Sequence, residues 1–187
     1  PFLGVTNSLT GRAWRSRLAD DGAGLAVAQR AGVPEIIGRV LTARGVAPAD
    51  ALGYLNPSLR TLLPDPSSLK DVDRACERLV QAVMGGERVM VFGDYDVDGA
   101  ASAALFKRFF ESVGAPLDIY VPDRIAEGYG PNAPALLRMA ESGVRVVVTV
   151  DCGTLAFEPL DAAAEVGLDV IVVDHHVAEP GLPRAVV

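Results

Sequence analysis

Histidine, cysteine and positive charge are all scarce in this chain, and each shortage narrows what it can do. The 187 residues include two histidines, His175 and His176, and two cysteines, Cys76 and Cys152. Two cysteines are too few for a secreted disulfide framework, and they match no zinc-binding spacing. A reducing, cytoplasmic setting is the resulting expectation. Lys and Arg number 17 against 24 Asp and Glu, a formal charge of −7. Broad, sequence-independent nucleic-acid binding by this chain alone is therefore not expected, because phosphate contacts need a basic face. No run of about 18 apolar residues occurs, and the opening "PFLGVTNSLTGRAWRSRLADD" lacks the apolar centre of a signal peptide. What remains is chain enough for one ordinary domain with a small appendage.

Residues 1–66 read as an N-terminal arm followed by short helices. Residues 1–30 show no strong period and are expected to be irregular. Apolar spacing after Pro34 predicts a short helix over 33–46, and "APADALGYLNPS" a second. Ser67 or Ser68 is the expected cap of a helix running to Gly85-Gly86. From there to residue 187 the pattern changes. "RVMVFG" (88–93), "PLDIYVP", "RVVVTVD" and "LDVIVVD" read as strands, separated by three helical segments. Val- and Ile-rich strands alternating with helices predict an α/β fold, a parallel β-sheet flanked by helices on both faces.

Three of these strands end in a carboxylate: Asp94, Asp151 and Asp174. Asp96 and Asp98 follow the first, in "GDYDVDG", and the two histidines follow the last. Ligands of open parallel sheets bind beyond the carboxyl ends of the strands, so these remote residues are expected to meet along one rim. Two carboxylates about 6 Å apart repel by roughly 0.7 kcal/mol in water and about 3 kcal/mol at an effective dielectric of 20. A cation among them relieves that repulsion. Oxygen donors with imidazole suit Mn²⁺, and Mg²⁺ less well. Taken singly, each residue has a plainer explanation: Asp151 as the N-cap of the next helix, Asp98-Gly99 as a turn. Their joint occurrence is what singles out a site. "DYDVDG" also matches half of a calcium loop, but the required Glu at its twelfth position is Leu105, which excludes that use. "EGYGPN" (127–132) reads as a tight glycine-rich turn or as a phosphate-contacting segment, with Arg124 as a charge clamp. No strand is followed by a dinucleotide-binding glycine pattern.

"GDYDVDGAASAAL", "VVVTVDCG" and "VIVVDHH" together resemble the first three motifs of the DHH phosphoesterases, named for a triplet that is here Asp174-His175-His176. "DYDVDG" followed by "PDRIAEGYG", and N-terminal stretches such as "SLTGRAW", are similar to the branch that degrades single-stranded DNA from the 5′ end. The resemblance implies two-metal phosphodiester hydrolysis with Mn²⁺ or Mg²⁺. It implies Asp96, Asp98, Asp151 and His175 as ligands, Asp151 bridging two ions, with Asp94 a ligand or a partner behind one. His176 is expected to face the scissile phosphate, Asp174 to orient the histidine pair, and Arg124 and Gly153 to contact substrate. The family has a further ligand aspartate and substrate-binding domains downstream. The chain is thus expected to be an N-terminal piece that binds metal weakly and is a poor nuclease. Two alternatives share these residues: a hydrolase of short oligonucleotides or cyclic dinucleotides, and a non-catalytic scaffold, which would be expected to have lost site carboxylates.

Overall fold

A computed structural model describes residues 2–18 and 20–187, which divide into two compact units, Pro1–Asp65 and Pro66–Val187. In the first unit, α1 (Asp21–Ala31) and α2 (Glu35–Ala43) are followed by the short α3 (Ala51–Leu55) and α4 (Leu59–Leu62). Val27, Leu41 and Ala51 form its small core. The expectation of an irregular segment through residue 30 is corrected by α1. Asp20 opens this helix by accepting the Gly22 amide, and its glycines allow close packing. A Cβ on Gly38 of α2 would overlap the Gly24 carbonyl and Ala28. Helix packing thus overrides the low helix propensity of glycine.

The second unit is an all-parallel four-stranded sheet. Its strands are β1 (Arg88–Gly93), β2 (Leu117–Tyr120), β3 (Val144–Val150) and β4 (Asp169–Val173), in the order β2-β1-β3-β4. Helix α5 (Val72–Gly85) precedes β1, α6 (Val97–Ser112) links β1 to β2, α7 (Ala133–Glu141) links β2 to β3, and α8 (Phe157–Glu165) links β3 to β4. The expected serine cap of α5 is replaced by Asp71, which occupies the cap position in a left-handed conformation, while Ser67 and Ser68 lie in a 3-10 turn.

Alternate residues of each strand point to opposite faces. Val89, Val91, Val146, Val148 and Ile171 pack with Ala82 of α5 and with Ala103 and Phe110 of α6. Phe92, Val147 and Val170 pack on the other side with Leu136 and Met139 of α7 and Leu160 of α8. Both faces are covered, as the apolar strands require. The chain leaves β1 toward β2 and later runs from β3 outward to β4, so the strand order reverses between β1 and β3. Ligands of open parallel sheets bind beyond the carboxyl ends of the strands at such a point. No helix of the described residues is long and apolar enough to cross a membrane.

Candidate metal centre

The carboxyl ends of β1 and β3 are where the first carboxylates fall. Asp94 leaves β1 with its amide donating to the Val150 carbonyl at 3.3 Å, which ties the ends of β1 and β3 together. Its side chain is buried, and Asp94 Oδ1 has no hydrogen-bond partner. Two residues on, Asp96 is the N-cap of α6, its carboxylate accepting the amides of Asp98 at 2.9 Å and Gly99 at 3.2 Å. Gly99 is required for this tight start, because a Cβ there would overlap the Asp94 backbone.

Asp151 follows β3 in a left-handed conformation, φ 61°, and is buried. It does not cap the next helix, whose N-cap position is Ala156. One donor atom each from Asp94, Asp96 and Asp151 lie within 4.8 Å of one another, and so do one each from Asp151, His175 and His176. Asp151 is the residue common to both groups. His175 Nε2 lies 3.0 Å from Asp151 Oδ1.

Asp174 anchors the loop behind the histidines. Its carboxylate accepts the amides of Thr154 at 3.0 Å, His175 at 2.8 Å and His176 at 3.2 Å. It also meets His176 Nδ1 at 2.7 Å, leaving Nε2 as that ring's uncommitted nitrogen. Burial pushes the Asp174 carboxyl upward, but its bonds to Thr154 and His176 outweigh this and hold it at about 2. Hydrogen bonding to Asp174 in turn raises the His176 pKa. Burial, and then the facing Asp96, raise Asp151 above the ordinary carboxylate range. Asp96 is lowered instead, foremost by the Gly99 amide. Burial, and then the surrounding carboxylates, push the Cys152 thiol up to about 12. Tyr129 is likewise pushed up to about 12, by burial first and then by Asp174.

An orphaned buried carboxylate oxygen, and carboxylates facing one another, are what a cation would satisfy. The donors are oxygen and imidazole nitrogen, a set that suits Mn²⁺.

The other residues expected at the site fall differently. Asp98 belongs to neither donor group; it sits in the first turn of α6 with an exposed side chain. Arg124 stacks its guanidinium over Tyr95, 5.0 Å from the ring centroid, which holds a cation beside the loop that carries Asp94 and Asp96. Gly153 is buried at φ 117°, and a Cβ there would come within 2.6 Å of Thr149 Oγ1. The observed setting of Gly153 is close packing of the Asp151 turn. Pockets of about 430 and 370 Å³ flank the Asp174–His176 loop, and Thr154, Asp174 and His176 line both. Two residues of the site were not anticipated from sequence. Thr154 holds Asp174, and Tyr129 donates its hydroxyl to the Asp151 carbonyl at 3.1 Å. A tyrosine between two glycines signals only a turn.

Residues 88–187 match the DHH family, N-terminal domain. The chain is 33% identical over 176 residues to the single-stranded-DNA-specific exonuclease RecJ of Bacillus subtilis, covering 93% of this chain and 22% of that protein. It is 35% identical over 154 residues to the Escherichia coli RecJ, covering 82% and 26% respectively. The chain therefore spans about a quarter of the length of these curated relatives. Among solved structures, it is similar to exonuclease RecJ bound to manganese, with a TM-score of 0.59, 34% identity, and 63% of this chain and 30% of that chain covered. It is also similar to RecJ from Thermus thermophilus in complex with Mn²⁺, with a TM-score of 0.63, 26% identity, and 90% and 23% covered.

Proposed function

The chain belongs to the DHH family, and from that premise we propose that it is the phosphodiesterase portion of a manganese-dependent, single-stranded-DNA-specific 5′→3′ exonuclease of recombination and repair. The observation that carries this reading is Asp151, which is common to two donor groups at one rim of the sheet. The RecJ relatives, two of them solved with manganese, support the substrate and the metal. A cytoplasmic setting goes with this reading.

In this assignment Asp94, Asp96, Asp151 and His175 would hold the metal, Asp151 being common to both donor groups; Mg²⁺ is the weaker alternative. Bound divalent ions would supply a water nucleophile at neutral pH and neutralise charge on the phosphate. Asp98 is kept as an outlying member of the set, because its exposed side chain lies outside both groups. Asp174 fixes the His176 ring through Nδ1, so that Nε2 is left to face the scissile phosphate. In this reading Arg124 engages a backbone phosphate of the strand, which its position over Tyr95, beside the loop of Asp94 and Asp96, supports. The boundary between arm and phosphodiesterase domain is assigned at residues 66–67, with Gly153 contacting substrate through its backbone.

The test is digestion of a 5′-phosphorylated single-stranded oligonucleotide during Mn²⁺ titration, alongside a duplex and a dinucleotide. Weak but Mn²⁺-dependent release of nucleotides from the single strand is expected from this chain. Asp151→Ala lowers it by more than the roughly 10–100-fold typical of residues that merely support a ligand. Preference for the dinucleotide would overturn the substrate assignment.

A further inference from the structure

The glycine-rich turn 127–132 contributes a side chain to the centre that neither a loop nor a phosphate-contacting role accounts for. We propose that Tyr129 is a positioning residue of the metal centre, holding the Asp151 turn through its hydroxyl and the His176 ring through its own. This inference rests on the reading of the carboxylate–histidine cluster as a manganese site.

Asp151 adopts a left-handed backbone, φ 61°. Such a conformation in a residue other than glycine persists only where its surroundings over-determine it. Two backbone bonds do so here. The Asp151 amide donates to the Val173 carbonyl at 2.9 Å, a contact supplied by the sheet. The Asp151 carbonyl accepts from the Tyr129 hydroxyl at 3.1 Å, a contact supplied by a side chain 22 residues away. The same hydroxyl lies 3.4 Å from His176 Nδ1, and the two rings meet edge to face with centroids 6.0 Å apart. Tyr129 therefore touches a residue of each donor group: Asp151, common to both, and His176. A hydroxyl that donates its proton to a carbonyl is not itself offered as a ligand.

The turn is built to present this side chain rigidly. Gly128 at φ 82° and Gly130 at φ 76° reverse the chain on either side of Tyr129, a backbone that L side chains rarely adopt. Glu127 fixes one end, accepting from the Tyr120 hydroxyl at 2.6 Å and the Asp123 amide at 3.1 Å. It also accepts from Asn132 Nδ2 at 3.2 Å, while Asn132 caps α7 through the Ala135 amide at 2.9 Å. The tyrosine is thus braced from the end of β2 and from the start of α7. Tyr129 as a residue is 56% exposed, so removing one oxygen leaves the core intact.

The experiment compares wild-type chain, Tyr129→Phe and Tyr129→Leu. Bound and free Mn²⁺ are counted by electron paramagnetic resonance, and thermal midpoints are measured without metal. The expected result is an Mn²⁺ dissociation constant raised about 10-fold or more by Tyr129→Phe, the scale seen for partners behind a ligand. Tyr129→Leu raises it further, and both variants keep the wild-type midpoint. Wild-type affinity in Tyr129→Phe would overturn the proposal while leaving the metal site standing. So would affinity lost only in step with a fallen midpoint, which would mean general support of the fold. A wild-type chain that binds no Mn²⁺ would overturn both the metal site and this role.

Discussion

The two ends of the sheet treat their carboxylates in opposite ways. At the amino end Glu87, Asp118 and Asp169 each meet an arginine. Arg78 pairs with Glu87 and with Asp169, both at 2.6 Å, and Arg88 pairs with Asp118 at 2.9 Å. At the carboxyl end Asp94, Asp96 and Asp151 converge with no lysine or arginine in ion-pair contact among the described residues. One end is neutralised from within the chain, and the other is left for an outside cation. An acidic chain thus need not be acidic everywhere to the same purpose. The difference separates carboxylates that hold the fold from carboxylates held by it.

Removing the internal neutralisation gives the largest expected effect on stability. Arg78 is 15% exposed, its partners 33% and 39%. Breaking a fully buried pair costs about 3–5 kcal/mol; with partners a third exposed, Arg78→Met is expected to lose about 2–3 kcal/mol. Denaturant unfolding would read this, with Mn²⁺ affinity unchanged. An affinity that fell equally would collapse the distinction between the two ends.

The carboxyl end has a fold-holding acid of its own in Asp174, and acid exposes it. With its carboxyl held at about 2, Asp174 stabilises the fold fully above its ordinary pKa near 4. That stabilisation, about 2 kcal/mol, drains as pH falls from roughly 4 to 2. Unfolding measured across that window should show the loss, and Asp174→Asn should flatten it. Asp151 is raised instead, by burial first and then by Asp96, so its protonation relieves a buried charge and a repulsion that together outweigh its contact with His175. Asp151→Asn, which tolerates the left-handed backbone, is accordingly expected to stabilise the metal-free chain by about 1 kcal/mol. A destabilised variant would place Asp151 with the structural acids.

Much of this was legible because apolar runs and turn residues are local signals. "RVMVFG" is the strand Arg88–Gly93, and the carboxyl ends of parallel strands bring Asp94, Asp151 and the histidines to one rim wherever the sheet forms. The helix α1 was hidden by Gly22 and Gly24, whose use depends on packing against α2. Asp98 was expected beside Asp96 as a ligand, with Asp94 a ligand or a partner behind one, yet Asp94 and not Asp98 joins the donor group. The alternation ends where α6 starts at Val97, and from there spacing by two no longer shares a face. Tyr129 and Thr154 act across 22 and 20 residues of sequence, a separation over which no short pattern could announce them.

The sulfur of Cys152, next in line to Asp151, illustrates what the crowded acids do to their neighbours. Burial and the adjacent negative charges keep it a thiol up to about 12. Alkylating reagents and peroxides attack the thiolate, so slow alkylation of this buried cysteine is expected in the folded chain. Burial first, and the negative field of the acids second, keep a soft anionic sulfur out of a rim whose donor groups are oxygen and imidazole nitrogen.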